Sequence, residues 1–365
     1  MNPDPRVPDD ARTPPAQPAP SLVAAAFPEA RDTGAAEDGE VALLADLRAL
    51  REGAAACSPG VRSAIAVCGP DHVAWLERIS SMPVADLPPG RAIGSTLMDG
   101  KGRLRADLRV LRAPELPGEE PRLVLDVPAS QHAALLRVLD MYILRDKVTL
   151  TDLLSSHRFV SVLGPRADAV LAAAGLPVPR AGEVLREGAV TAALRSRFCG
   201  APGTDLLLAT ETVGAVLERL VGGGARAVAA PALAVERLAR GVPWFQSDLV
   251  SGVIPLEAGL DADVSVTKGC YPGQEVVARI TNLGQVARKL LRLSAPGRQT
   301  LLPGAALSGT GERAAQEAGA VTSAAFDPLA QRTLALGFLR RAFWKPGSAV
   351  RAGELELRVD GLHAD

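Results

Sequence analysis

Aromatic residues make up only 3% of this 365-residue chain, which leaves few rings on which bases could stack. An excess of either charge is also missing: 40 Lys and Arg stand against 41 Asp and Glu, for a net charge of −1. Without a basic footprint, nucleic acid is not an expected partner. No apolar run approaches the roughly 20 residues that a spanning helix needs, so no membrane span is expected. Histidine occurs four times and cysteine four times, at Cys57, Cys68, Cys199 and Cys270. No two cysteines form a Cys-x-x-Cys pair and no spacing matches zinc, so no metal site is expected. Scattered, unpaired thiols suit a reducing, cytoplasmic setting. No secretory signal is expected either, since Asp4, Asp9 and Asp10 fall where such a signal is basic.

What is present is an ordinary core. Hydrophobic content of 47% with 22% charged residues is enough for two or three domains. Residues 1–40 are dense in Pro, Ala and Asp, and read as a disordered tail. Val41, Leu44, Leu47 and Leu50 then recur at helical spacing. Ala64 to Cys68 is a short apolar strand, followed by Gly69-Pro70 and a helical pattern. Phe159 to Leu163, followed by Gly164-Pro165, looks alike, which suggests an internal repeat or two ordinary strand-to-helix turns. Between them, Asp99-Gly100-Lys101-Gly102 reads as a hairpin turn, and Leu104, Ala106, Leu108 and Val110 alternate with charged residues. Strands and helices mix without a βαβ rhythm, so the expected class is α+β with mainly antiparallel sheets. After Gly284 to Ala287 the pattern changes to short strands divided by Pro and Gly, and residues 286–365 read as a small β-barrel or sandwich.

The chemically dense stretch is Lys268-Gly269-Cys270-Tyr271-Pro272-Gly273-Gln274-Glu275. Val276, Val277 and Ile280 follow at helical spacing, with Glu275 and Arg279 placed to pair four residues apart. Cys270 thus precedes a helix start, with Lys268 two residues away. Both features favour a thiolate, and the helix start offers N–H groups to a carboxylate. The plain alternative is a cysteine packed in a turn.

Lys-Gly-Cys-Tyr-x-Gly-Gln-Glu resembles the signature of the YgfZ family of folate-binding iron–sulfur cluster assembly or repair factors. That family is related to the aminomethyltransferase (T-protein) of the glycine cleavage system. The resemblance implies a GcvT-like body over residues 41–285, in two interleaved subdomains, and a C-terminal β-barrel. It implies tetrahydrofolate or a derivative as cofactor, and client iron–sulfur proteins or their assembly machinery as partners of a monomer. Other segments are similar to the folate-site motifs of the aminomethyltransferases. Gly102 to Leu108 follows a Gly-Gly-Ile-x-Asp-Asp-Leu hairpin, with Ala106 in place of one Asp and Asp107 kept. Gly200, Gly203 and Asp205 keep the frame of a pterin-reaching loop, with Ala201 where its first Glu would stand. Arg237, with Arg240 beside it, takes the Arg of an Arg-Ile-x-x-Gly-x-Pro segment and would suit a folate carboxylate. By the resemblance, Asp107, Gly200, Gly203, Asp205, Arg237, Arg240, Tyr271, Gln274 and Glu275 line the folate site. Cys270 is its reactive residue and Lys268 the thiol's activator. A folate-dependent aminomethyl- or methyltransferase remains the alternative, and so does a thiol redox protein in which Cys199 approaches Cys270.

Overall fold

The computed structural model describes residues 36–362 apart from Leu116, Gln246 and Ser251. The first helix runs Ala36–Glu52, so it starts inside the stretch expected to be a disordered tail. The rest of that tail, residues 1–35, lies outside the described residues.

The strand-turn-helix repeat is real, but its two copies do not pair within one sheet. Strand Arg62–Cys68 leads into helix His72–Ile79, and strand His157–Leu163 into helix Ala167–Ala173. Each copy continues with three strands, a short 3₁₀ turn, a helix and a last strand. The first sheet is ordered 91–98, 104–112, 122–128, 62–68, 149–152, and is antiparallel throughout. The second repeats this order as 185–187, 190–195, 203–209, 157–163, then takes in 55–57 and 226–227. The contact of Ala55–Cys57 with Arg226–Ala227 is parallel. At both repeat turns the glycine has positive φ, 101° for Gly69 and 110° for Gly164. A Cβ on Gly69 would lie 2.2 Å from the carbonyl oxygen of Lys147, so only glycine fits.

The two sheets face each other. Ala64, Ala66, Leu111 and Val124 of the first meet Phe159, Ala192, Leu194 and Leu207 of the second. The outer faces are covered by helices: Trp75, Leu76, Leu135 and Leu139 over the first sheet, Val170, Leu171, Val216 and Leu220 over the second. The expected α+β class is borne out. The C-terminal strands, starting with Arg288–Pro296 and ending with Leu355–Gly361, close into a six-stranded antiparallel barrel. Its outer residues Leu290, Leu334, Leu336 and Phe338 pack with Leu47 and Leu50 and with helix Ala230–Arg240 in one apolar core.

Between the sheets lies a chain of buried charges. Arg109 donates to Asp126 Oδ2 at 2.5 Å and to Asp205 Oδ2 at 2.8 Å, so it links the two sheets. Ser161 Oγ donates to Asp205 Oδ1 at 2.7 Å. Arg62 Nε donates to Asp126 Oδ1 at 2.8 Å, and its Nη1 to Asp107 Oδ2 at 2.7 Å. Burial alone would push the Asp126 carboxyl up, but Arg109 and Arg62 outweigh it and hold it below the usual range. Removing Asp126 would leave two guanidinium groups without their shared counter-charge. Asp126→Ala is therefore expected to lower unfolding stability by about 3–5 kcal/mol in urea titrations at neutral pH. Because the folded pKa is depressed, this contribution is complete above the unfolded value of about 3.9. It is lost as pH falls through the folded value. The loss on substitution should thus shrink in strong acid, and a pH-independent difference would contradict the assignment.

Candidate functional site

The Lys268–Glu275 stretch forms a loop that ends at Gly273, the left-handed cap (φ 85°) of helix Gln274–Leu283. A Cβ on Gly273 would lie 2.7 Å from Gly102 Cα and 2.8 Å from the Asp99 carbonyl oxygen. The hairpin and the loop are thus in backbone contact, and any side chain at Gly273 would push them apart. Gly102 in turn faces the Val276 side chain, where its own Cβ would come within 2.9 Å. Beneath them Met98, Val264, Tyr271 and Val277 form a small core.

Most polar side chains of the loop are spent on holding it. Lys268 Nζ donates to the carbonyl oxygens of Glu77 (2.5 Å), Ser80 (2.7 Å) and Met82 (3.0 Å). Glu77 Oε1 lies 3.4 Å from the same nitrogen, and the Lys268 side chain is 3% exposed. The ammonium therefore caps the C-terminus of helix His72–Ile79, where carbonyls and dipole favour a cation. Burial pushes its pKa down, opposed by Glu77. The expected activation of Cys270 by Lys268 is corrected here, because the charge points into another helix. Tyr271 is buried and donates its hydroxyl hydrogen to the Ser265 carbonyl at 2.5 Å. Gln274 Nε2 donates to the Lys268 carbonyl at 2.8 Å. Neither side chain is arranged to hold a ligand. The helix start offers less to an anion than expected, since Gln274 N and Val276 N already bond to Tyr271 O and Gly273 O. Glu275 and Arg279 are exposed and do not pair with each other.

Cys270 is the exception, an exposed thiol on this braced loop. Cys57 and Cys199 are buried, and burial pushes the Cys199 thiol up to about 12 and Cys57 well above its ordinary value. Cys199 sits in the core with Cys57, Phe198 and Ala201, which places it badly to resolve a disulfide on an exposed loop.

The remaining residues of the expected folate site separate into two groups. Arg237 is 4% exposed, donates to Asp248 Oδ2 at 2.6 Å, and stacks 4.7 Å from the Trp244 ring centroid. Asp248 Oδ1 accepts from Thr322 and Ser323 of the barrel, both at 2.5 Å. Arg237 is thus a strut between body and barrel, its pKa pulled down by burial against Asp248. Arg240 pairs with buried Glu236 at 2.9 Å, and Arg51 holds the same carboxylate at 2.7 Å. Asp205 is committed to Arg109 and Ser161. A Cβ at Gly200 would meet Arg240 Cβ at 2.7 Å, and one at Gly203 the Val162 carbonyl oxygen at 2.1 Å. The protein itself fills the room these two glycines leave.

Asp107 differs. Arg105, Asp107 and Arg109 occupy alternate positions on one face of strand Leu104–Arg112. Their side-chain exposures of 55%, 28% and 9% show this face emerging from beneath the second sheet, and Asp107 stands at its rim. Two residues not expected in the site also organise this region. Arg62 clamps Asp107. Asp263, just ahead of the loop, takes Arg197 in a paired contact at 2.8 and 2.9 Å. Cavities of about 290 Å³ beside Asp168 and Arg195, and about 430 Å³ beside Ser294 and Arg358, open elsewhere. Among the described residues no group of three or more His, Cys, Asp or Glu is placed to hold a metal ion, and no helix is long and apolar enough to cross a membrane.

Two facing sheets with a docked barrel define the architecture of an aminomethyltransferase. The structure superposes on the glycine cleavage system aminomethyltransferase T of Bartonella henselae with a TM-score of 0.78, covering 88% of each chain at 24% identity. Residues 23–268 match the GCVT N-terminal domain, and the chain belongs to that family. Its relatives include a mitochondrial iron-sulfur cluster assembly factor IBA57 homolog of Mycosarcoma maydis, 28% identical over 64% of this chain and 55% of that protein. The tRNA-modifying protein YgfZ of Yersinia enterocolitica is 28% identical over 63% of this chain and 68% of its own. An aminomethyltransferase of a Synechococcus strain is 27% identical over 71% and 72%. The chain spans little more than half the length of the fungal relative.

Lys268→Met keeps the stem and removes the cap. It is expected to cost about 1–3 kcal/mol, the penalty for stranding buried carbonyls, and to raise amide exchange across 265–271. Unchanged exchange in that loop would show that Lys268 does not hold it.

Proposed function

We propose that this protein is a tetrahydrofolate-binding accessory factor for the assembly or repair of iron–sulfur clusters, with Cys270 as its working residue. One observation carries the reading. Two of the positions where the aminomethyltransferases carry carboxylates are Ala106 and Ala201, 0% and 2% exposed, while the thiol of the motif stands in solvent. A transfer reaction at a folate nitrogen needs a positioned acid or base, and two of the expected groups are methyls in a core. The fungal relative's name, an iron-sulfur cluster assembly factor, supports the same direction.

In this reading the folate sits at the rim of the first sheet. Asp107 offers a partly exposed carboxylate held on one side by Arg62, and Arg105 adds an exposed cation on the same face, 3.3 Å from Asp99. Two residues along a strand put them roughly 7 Å apart. Bound tetrahydrofolate supplies a reduced pterin that can carry one-carbon units. Asp107 would accept its ring donors, and Arg105 would face its acidic tail. Arg237 and Asp205 are engaged internally and have no part in this reading.

In cells lacking the protein, Cys270→Ala is expected to leave client iron–sulfur enzymes inactive, while the purified variant binds tetrahydrofolate within about twofold of the parent in calorimetry. Restored client activity would remove the thiol from the mechanism. Arg237→Ala should act through stability, with a loss of about 3–5 kcal/mol from the stranded Asp248. A weaker folate affinity at unchanged melting temperature would return Arg237 to the binding site.

A further inference from the structure

We infer that residues 22–27, Leu-Val-Ala-Ala-Ala-Phe, dock as an extended segment into a gap in the wall of the C-terminal barrel. None of the residues lining that gap belongs to the Asp107 rim or to the Cys270 loop.

The barrel closes through a short seam. Strands Arg288–Pro296 and Leu355–Gly361 pair only at Arg292 with Gly361, Leu293 with Val359 and Ser294 with Arg358. Past Ser294 the next position facing that side is Pro296, which has no N–H to donate. Its carbonyl already accepts from Gln299 Nε2 at 2.9 Å. On the other strand, Val359 N donates to the Ser348 carbonyl at 2.9 Å, on the side of strand Ala349–Ala352. Backbone groups alternate sides along an antiparallel strand, so Glu356, like Arg358, turns its N–H and C=O toward the seam. Arg358 meets Ser294 there, and Glu356 meets no strand residue. A cavity of about 430 Å³ opens at this place, walled by Pro296, Ala349 and Leu355. Ser294 also lines it, is only 5% exposed, and its hydroxyl makes no hydrogen bond among the described residues. An open backbone N–H and C=O, a spare hydroxyl and apolar walls suit an extended peptide, which brings main-chain partners and alternating side chains.

The chain's own N-terminal residues join the fold beside this gap. Glu40, in the first turns of helix Ala36–Glu52, accepts from Arg298 Nη2 at 2.6 Å, and Arg298 directly precedes Gln299 of the lining. Within residues 1–35, residues 22–27 are the one run of six apolar residues, in a stretch otherwise dense in Pro and charge. No proline interrupts the run, so each of its N–H groups can serve a neighbouring strand. Eight residues, 28–35, separate it from the helix start, and extended they span up to about 30 Å. That length brings the run to the gap. Glu356 then exchanges both backbone bonds with it, Ser294 donates to one of its carbonyls, and its apolar side chains cover Pro296 and Leu355.

The test uses the full chain with p-benzoyl-phenylalanine in place of Phe27, irradiated and mapped by mass spectrometry. Cross-links should fall on residues 294–299 and 347–358 at any protein concentration, and Ala349→Arg, which fills the gap, should remove them. Hydrogen exchange supplies a second readout. The Glu356 amide should be protected in the parent and exchange at least about tenfold faster in the double variant Leu22→Asp, Phe27→Asp. Neither of those two residues takes part in the core described above, so this variant carries the test even where Ala349→Arg fails to fold. Cross-links outside the seam, or none, overturn the inference. Equal exchange of Glu356 in parent and variant does so too: fast in both leaves the gap empty, and slow in both gives it another occupant. Cross-links that form only between copies and grow with concentration assign the gap to a second chain, and also overturn it.

Discussion

The structure depends on how two arginines are shared among three aspartates in the seam between the sheets. Arg109 spans from Asp126 to Asp205, and so from one repeat to the other. Arg62 extends the chain outward to Asp107. Buried charges of this kind contribute little net stability over an apolar core, but stranding one of them is costly. They therefore set the register of the two sheets more than they strengthen it. With the sheets so aligned, the rim of the first carries Asp107, and its hairpin tip lies against Gly273 and the loop of Cys270.

That loop shows how a dense motif can serve one atom. Lys268 reaches across to helix His72–Ile79, Tyr271 and Gln274 brace the backbone, and Gly273 permits contact with the hairpin. Their common effect is to fix an exposed thiol on a rigid mount. A thiol that acts on a large partner needs such presentation, whereas a thiol acting on a small bound ligand needs a pocket.

Much of the architecture was legible because it is written in local pattern. Alternation at Leu104 to Val110, the Gly-Pro turns after both repeat strands, and the helix after Gly273 all appear at the expected places. The short strands Ala306–Ser308 and Ala349–Ala352 were not readable, since three or four residues carry no periodicity. Site roles were harder, because they are settled by distant partners. Arg237 finds Asp248 and, through it, Thr322 and Ser323 of the barrel. Lys268 is two residues from Cys270 but bonds carbonyls nearly 190 positions away. Sequence proximity pointed at the thiol, and the fold turned the charge elsewhere.

A crystal structure of the chain with reduced tetrahydrofolate is the most direct test of this account. The account predicts the pterin against Asp107, its tail toward Arg105, and Cys270 in solvent without contact to the ligand. A pterin packed on Cys270, or a folate carboxylate bound by Arg237 with Asp248 displaced, would contradict it.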